Sequence, residues 1–180
     1  MLTIIIFHQI LGAFLVAVAK CFNLGDSALK VIAFLVSLLT FVISVSLYLN
    51  FDLVPENAGM KYYTDMQWIE GLGIKYQIGI DGISLWIVLL TTFLMPICIL
   101  ASWNSVEKGI SGFMIALLTL ETAMIGVFCA LDMFLFFVFW ESVLIPMYFL
   151  IGIWGGRRRI SVSYTHLRAH ETEADLVCRL

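Results

Sequence analysis

Charged residues are scarce in this chain. Only 13% of its 180 residues are Asp, Glu, Lys or Arg, whereas 62% are hydrophobic. A soluble domain is about a quarter charged and about half apolar, so this composition excludes an ordinary soluble protein. The net charge is −3 and no basic stripe is present, which gives no sign of nucleic-acid binding. The sequence therefore predicts an integral membrane protein with a lipid bilayer around it.

The chain also lacks the cysteine spacing that holds a zinc ion or a disulfide framework. Its cysteines are scattered, with no C-x-x-C motif, at Cys21, Cys98, Cys129 and Cys178. His166 and His170 have the i, i+4 spacing that suits a metal, but no further placed ligands accompany them. We therefore predict no metal site and no disulfide framework.

Long apolar runs are what the sequence does contain. Five of them approach or reach the roughly 20 residues that cross a bilayer core. They lie at about 3–18, 31–49, 83–103, 112–130 and 133–154. The first run could instead be a secretory signal, since 17–19 looks like a cleavage site, but it lacks a basic start and carries its Lys at the far end. The predicted fold class is therefore an all-α integral membrane protein with about five transmembrane helices.

One polar loop, 50–82, separates the second and third helices. Between residues 74 and 80 its apolar side chains alternate with Lys75, Gln77 and Gly79. This period of two predicts a half-buried strand. Residues 71–73 could turn the strand back on 63–69 as a β-hairpin, which we expect to pack on this chain or on a neighbour because a lone hairpin is marginal in water.

Two aspartates stand where helices are expected to begin. Asp81 precedes the third helix and Asp132 precedes the fifth, so each is predicted to cap its helix through the carboxylate. Only Leu131 and Asp132 separate the fourth and fifth runs. The fourth and fifth helices are therefore predicted to form an antiparallel pair.

The distribution of Lys and Arg predicts the orientation in the membrane. One side would hold the connections 19–30 and 104–111 and the segment after 154, with Lys20, Lys30, Lys108, Arg157, Arg158 and Arg159. The other side would hold only Lys61 and Lys75. We expect the basic side to face the cytoplasm or matrix, with the N-terminus and the hairpin on the outer side.

Glu141 is the strongest candidate for a functional residue. It lies inside the fifth apolar run, with no other charge for eight residues before it or fifteen after it. Intramembrane acids and bases are costly, at about 2.5–3.5 kcal/mol for the costlier types, and usually face a protein interior and serve transport. We therefore expect Glu141 to be a proton-pathway carboxylate.

Three further residues accompany this candidate. Glu121 lies in the middle of the fourth run, at a depth similar to that of Glu141, and is a possible auxiliary whose structural and functional roles remain equally open. Pro146 cannot donate a backbone hydrogen bond, so it should free the carbonyl of Ser142 next to Glu141. The Ser142 carbonyl and hydroxyl would then shape a polar site in the helix. His8 is expected to serve helix packing or the interface.

Several motifs together resemble one known family. They are YQIGIDGISL at 76–85, LETAMIGVFCALD at 120–132, FWESVLIPMY at 139–148 and GIWGGR at 152–157. These runs closely resemble subunit M of bacterial respiratory complex I, the equivalent of subunit 4 of the mitochondrial NADH dehydrogenase. The resemblance covers about 1–160 and is most specific in 79–157.

The resemblance implies an antiporter-like, proton-translocating subunit in the membrane arm of an NADH:quinone oxidoreductase. The residue that matches Glu141 is the family's essential carboxylate, and it pairs with a lysine on a later helix. The outer hairpin links neighbouring membrane-arm subunits. NADH, FMN, the iron–sulfur clusters and quinone are bound by other subunits, so no cofactor and no redox chemistry are expected in this chain. The location implied is the bacterial inner membrane or, alternatively, the mitochondrial inner membrane.

This chain departs from the family because it provides only five helices. The partner lysine would lie outside the sequence, and residues 161–180 do not continue the family's motifs. We therefore interpret 1–160 as the N-terminal part of the subunit and 161–180 as a non-native tail. Two alternatives remain open. The chain could be a subunit of a multi-subunit Na+/H+ antiporter, or a non-transporting assembly protein in which Glu121 and Glu141 only form hydrogen bonds between helices.

Overall fold

The structure is a computed structural model that describes residues 2–57, 59–69, 71 and 74–155. In chain order its elements are α1 (Leu2–Cys21), α2 (Asp26–Leu49), β1 (Lys61–Ile69), β2 (Ile74–Ile80), α3 (Gly82–Ala101), α4 (Ile110–Cys129) and α5 (Met133–Trp154). A short 3-10 turn, Phe51–Leu53, follows α2. All five α-helices are long and apolar enough to cross a membrane, which confirms the predicted fold class.

Some sequence predictions concern residues outside the described ranges. They are the paired histidines His166 and His170, the tail 161–180 and the basic run Arg157–Arg159. The middle of the hairpin turn, 72–73, also lies outside these ranges.

The first connection is much shorter than the apolar runs suggested. We expected 19–30 to link the first two helices, but α1 continues to Cys21 and α2 already begins at Asp26. The apolar runs stop at polar residues, but the helices extend past those residues. This is possible because the end of a membrane helix lies at the membrane surface, where charged side chains are tolerated. Lys20 and Asp26 face each other across the connection at 4.0 Å.

Both predicted aspartate caps are present. The Ser84 backbone N–H donates to the Asp81 carboxylate at 2.6 Å, and the Leu135 N–H donates to the Asp132 carboxylate at 3.0 Å. These bonds satisfy amides that have no partner within the first turn of a helix. The caps therefore fix where α3 and α5 begin.

The hairpin prediction is also confirmed. β1 and β2 pair antiparallel, with Asp65 opposite Gln77. The hairpin packs on this chain, because Ile78 and Ile80 are fully buried. In addition, the Leu131 N–H donates to the Gln77 carbonyl at 2.9 Å, so the α4–α5 connection lies against β2.

α4 lies at the centre of the helical bundle and α5 lies at its edge. The buried side chains of α4 are spread along its whole length, whereas only Leu135 and Pro146 of α5 are buried. α4 and α5 are antiparallel, as predicted, since Gly126 near the end of α4 meets Phe139 near the start of α5, and Trp154 at the end of α5 lies over Gly112 near the start of α4. α5 therefore presents most of its surface outwards.

Candidate proton-translocation site

The structure places Glu141 on the exposed side of α5. It follows the first residue of the helix, Met133, by eight positions, which corresponds to a depth of about 12 Å. Phe137 and Ile145, four residues to either side, are 52% and 62% exposed. Glu141 is thus a carboxylate within an apolar stripe that the described helices do not cover.

This placement differs from the expectation that Glu141 faces a protein interior. α5 is apolar on almost every side, so its sequence does not reveal which side packs against α4. The packing is decided instead by Gly126, where a Cβ would lie 2.3 Å from the Phe139 ring. Close contact at this glycine turns the Phe139 side of α5 inwards, and Glu141 lies outside the resulting interface.

Ser142 lies next to Glu141 in α5, and Pro146 follows Glu141 by five residues in the same helix. The Ser142 hydroxyl donates to the Val138 carbonyl at 2.6 Å, and its oxygen retains lone pairs that can accept a hydrogen bond. Pro146 is buried, and α5 continues through it without a break. Glu141 and Ser142 are therefore two adjacent polar residues in a largely apolar helix, whereas Pro146 lies on its buried side.

Glu121 lies in a very different setting. It is fully buried within the bundle, and neither carboxylate oxygen has a hydrogen-bond partner among the described residues. Gln9 of α1, which is also fully buried, approaches this carboxyl group without making a hydrogen bond of acceptable geometry. Sequence reasoning missed Gln9, although an amide in an apolar span was a signal that could have been used.

The two glutamates lie at a similar depth but on different sides of the α4–α5 helix pair. Glu121 precedes the end of α4 at Cys129 by eight residues, and Glu141 follows the start of α5 by eight residues. The antiparallel arrangement of α4 and α5 is therefore consistent with the prediction that the two carboxylates lie at a similar depth. Glu121 is enclosed by the bundle, however, whereas Glu141 is exposed outside it.

Other polar side chains also join neighbouring helices of the bundle. His8 Nδ1 and Thr40 Oγ1 are 3.0 Å apart, so His8 serves helix packing between α1 and α2, as expected. Ser44 Oγ and Thr92 Oγ1 are 2.7 Å apart between α2 and α3. In the described part of the chain, no group of three or more His, Cys, Asp and Glu side chains could hold a metal ion.

Comparison with known proteins identifies the relatives of this chain. No protein-family model matches it. Subunit M of the NADH-quinone oxidoreductase of Rhodobacter capsulatus is 43% identical over 166 residues, which are 91% of this chain and 31% of that protein. The chain is a homologue of NADH-quinone oxidoreductase subunit M. Chain 4 of the NADH-ubiquinone oxidoreductase of Arabidopsis thaliana is 44% identical over 137 residues, 76% of this chain and 27% of that protein.

The chain spans between about a quarter and a third of the length of the curated relatives that it matches. The fold of the chain also resembles that of a chain in a solved structure. A chain in the structure of respiratory complex I from Thermus thermophilus with bound NADH matches with a TM-score of 0.75, over 93% of this chain and 32% of that chain, at 22% sequence identity. The resemblance inferred from the sequence motifs is confirmed, and the chain is a multi-pass membrane protein.

Proposed function

We propose that this subunit M homologue is the N-terminal part of a proton-translocating membrane subunit of NADH:quinone oxidoreductase, with Glu141 as the proton-carrying residue. The observation that carries the proposal is the isolated carboxylate of Glu141, which lies about 12 Å along α5 from the first residue of the helix. The names of the relatives support it, since they are oxidoreductase subunits. They favour this function over that of a Na+/H+ antiporter subunit.

The exposed side of α5 gives Glu141 a way to respond to a partner. A cation that approaches the carboxylate from that side favours the ionised form, and its withdrawal favours the protonated form. The partner that we propose is a lysine on a later helix of the full-length subunit. Ser142 and Pro146 would provide polar sites for a water molecule on the way to Glu141. Glu121 would act as an auxiliary from inside the bundle.

The remaining parts of the reaction would belong to other subunits. We propose that NADH, FMN, the iron–sulfur clusters and quinone are bound elsewhere in the complex, and that this chain performs no redox chemistry. Its partners would be the other membrane-arm subunits of respiratory complex I. The membrane would be the bacterial inner membrane or, alternatively, the mitochondrial inner membrane.

The proposed role is tested by replacing Glu141 with Gln in the full-length subunit within the intact complex. Glu141→Gln keeps the shape of the side chain and removes its ability to exchange a proton. We expect NADH-driven proton pumping in membrane vesicles to be strongly impaired. The matched control is Glu107→Gln, the same chemical change at an exposed residue in the connection between α3 and α4.

The amount of assembled complex has to be measured in parallel. Impaired pumping in Glu141→Gln with normal assembly, alongside a normal Glu107→Gln variant, supports the proposal. Unimpaired pumping in Glu141→Gln refutes it. Loss of assembly with normal pumping per remaining complex supports the assembly alternative instead.

A further inference from the structure

Four buried polar atoms that have no hydrogen-bond partner among the described residues lie together between α1 and α4. They are the amide nitrogen and oxygen of Gln9 and both carboxylate oxygens of Glu121. Both residues are 0% exposed. Buried polar groups in proteins almost always have a hydrogen-bond partner, which is either protein or ordered water. Four unpartnered atoms on two facing side chains therefore point to a bound ligand rather than to isolated defects.

The neighbouring side chains do not provide the missing partners. The Thr122 hydroxyl, next to Glu121, already donates to the Leu118 carbonyl at 3.0 Å. The His8 ring, next to Gln9, is in contact with Thr40 on a different helix. Among the described residues, no neighbouring side chain therefore supplies the missing hydrogen bonds.

Charged groups of the surrounding helices lie away from this place. Lys20 and Asp26 stand at the ends of α1 and α2, and Lys30 of α2 donates to the carbonyl groups of Trp103 and Val106. Glu141 of α5 is exposed outside the bundle. None of these charged groups of the described residues is thus positioned to pair with Glu121.

We infer that Gln9 and Glu121 together bind a buried water molecule. The amide of Gln9 offers donors and an acceptor, and a protonated carboxyl offers one donor and further acceptor capacity. Water, which both donates and accepts, matches this set, and buried waters typically make about three hydrogen bonds to such groups. Binding of this water is independent of the proposed function, whereas its use in proton transfer at Glu121 rests on it.

The inference is tested by electron cryo-microscopy of the intact complex that contains the full-length subunit. The map must resolve ordered waters, and the sample is kept in potassium buffer without sodium. We expect a density peak within hydrogen-bond distance of both Gln9 and Glu121. A direct Gln9–Glu121 hydrogen bond with no peak overturns the inference, as does a peak that appears only when sodium is added.

Two variants sharpen this experiment. The double variant Gln9→Met and Glu121→Met replaces both polar side chains with apolar ones of similar shape, and we expect the peak to be lost. The control Thr40→Val removes a hydroxyl of α2 that contacts His8 rather than Gln9 or Glu121, and it should leave the peak in place. A peak that persists in the double variant contradicts the inference. If the double variant does not assemble, the map of the unmodified complex still shows whether the water is present. The proposal for Glu141 is tested separately, by proton pumping, so its failure can be distinguished from failure of this inference.

Discussion

At the residue scale, Asp132 determines where α5 begins and therefore how deep Glu141 lies. Its carboxylate accepts from the Leu135 N–H at 3.0 Å. Loss of such a cap costs about 1 kcal/mol, within a range of about 0.5–2 kcal/mol. We expect Asp132→Ala to lower the free energy of unfolding of the full-length subunit in detergent by about this amount, as measured by thermal unfolding.

The matched control at this position is Asp132→Asn, since Asn caps a helix about as well as Asp. We expect this variant to keep nearly all of the stability. An equal loss in both variants would show that the charge of Asp132 matters rather than its capping bond.

Single residues differed in how much the sequence revealed about them. Asp81 and Asp132 could be predicted as caps because an aspartate directly before an apolar run has one dominant structural use. Glu141 stood out because charge is rare in a membrane span. The importance of Gln9 could not be recognised in the same way, since it depends on Glu121 of a distant helix that only the fold brings close.

At the scale of elements, the α4–α5 interface depends on the absence of a side chain at Gly126. A Cβ at this position would lie 2.3 Å from the Phe139 ring, so the two helices would have to separate or repack. Overpacking of this kind typically costs about 1–3 kcal/mol. We expect Gly126→Ala to lower the unfolding temperature of the full-length subunit and to reduce the amount of assembled complex.

Gly152 of α5 provides the control for this prediction. A Cβ there meets no atom within 4 Å, and the helix gains from Ala in place of Gly. We therefore expect Gly152→Ala to be neutral or slightly stabilising. If Gly126→Ala has the same unfolding temperature and assembly as Gly152→Ala, Phe139 does not pack closely on Gly126 of α4.

The number and kind of the elements could be predicted, as could the bounds of α5, but the ends of other helices and the buried sides could not. Five apolar runs of nearly membrane length leave little alternative to five helices. The first two helices nevertheless continue beyond those runs, as α2 does when it begins at Asp26. Because α5 is apolar all round, the direction in which Glu141 points is decided by tertiary packing and was not predicted.

At the scale of the whole molecule, the distribution of charge predicts which end of the bundle faces outwards. We expect the hairpin end, with Glu56, on the outer side and the α3–α4 connection, with Glu107, on the inner side. Both residues are exposed, so a cysteine at either position should be accessible from its own side. The variants Glu56→Cys and Glu107→Cys test this in a full-length subunit without its native cysteines.

A membrane-impermeant maleimide added to intact cells should label Glu56→Cys and not Glu107→Cys. Permeabilisation should make Glu107→Cys reactive as well, which controls for its exposure. Labelling of Glu107→Cys alone in intact cells would reverse the orientation and would contradict the assignment based on Lys and Arg.

The central claim is that Glu141 gains and loses a proton while the complex works. Infrared difference spectroscopy of the intact complex during NADH-driven turnover tests it most directly, because protonated and ionised carboxyl groups absorb at different frequencies. We predict a turnover-dependent carboxyl signal that is absent in Glu141→Gln and retained in Glu107→Gln. A spectrum that is identical in the unmodified complex and in Glu141→Gln would mean that Glu141 does not change its protonation, and it would contradict the claim.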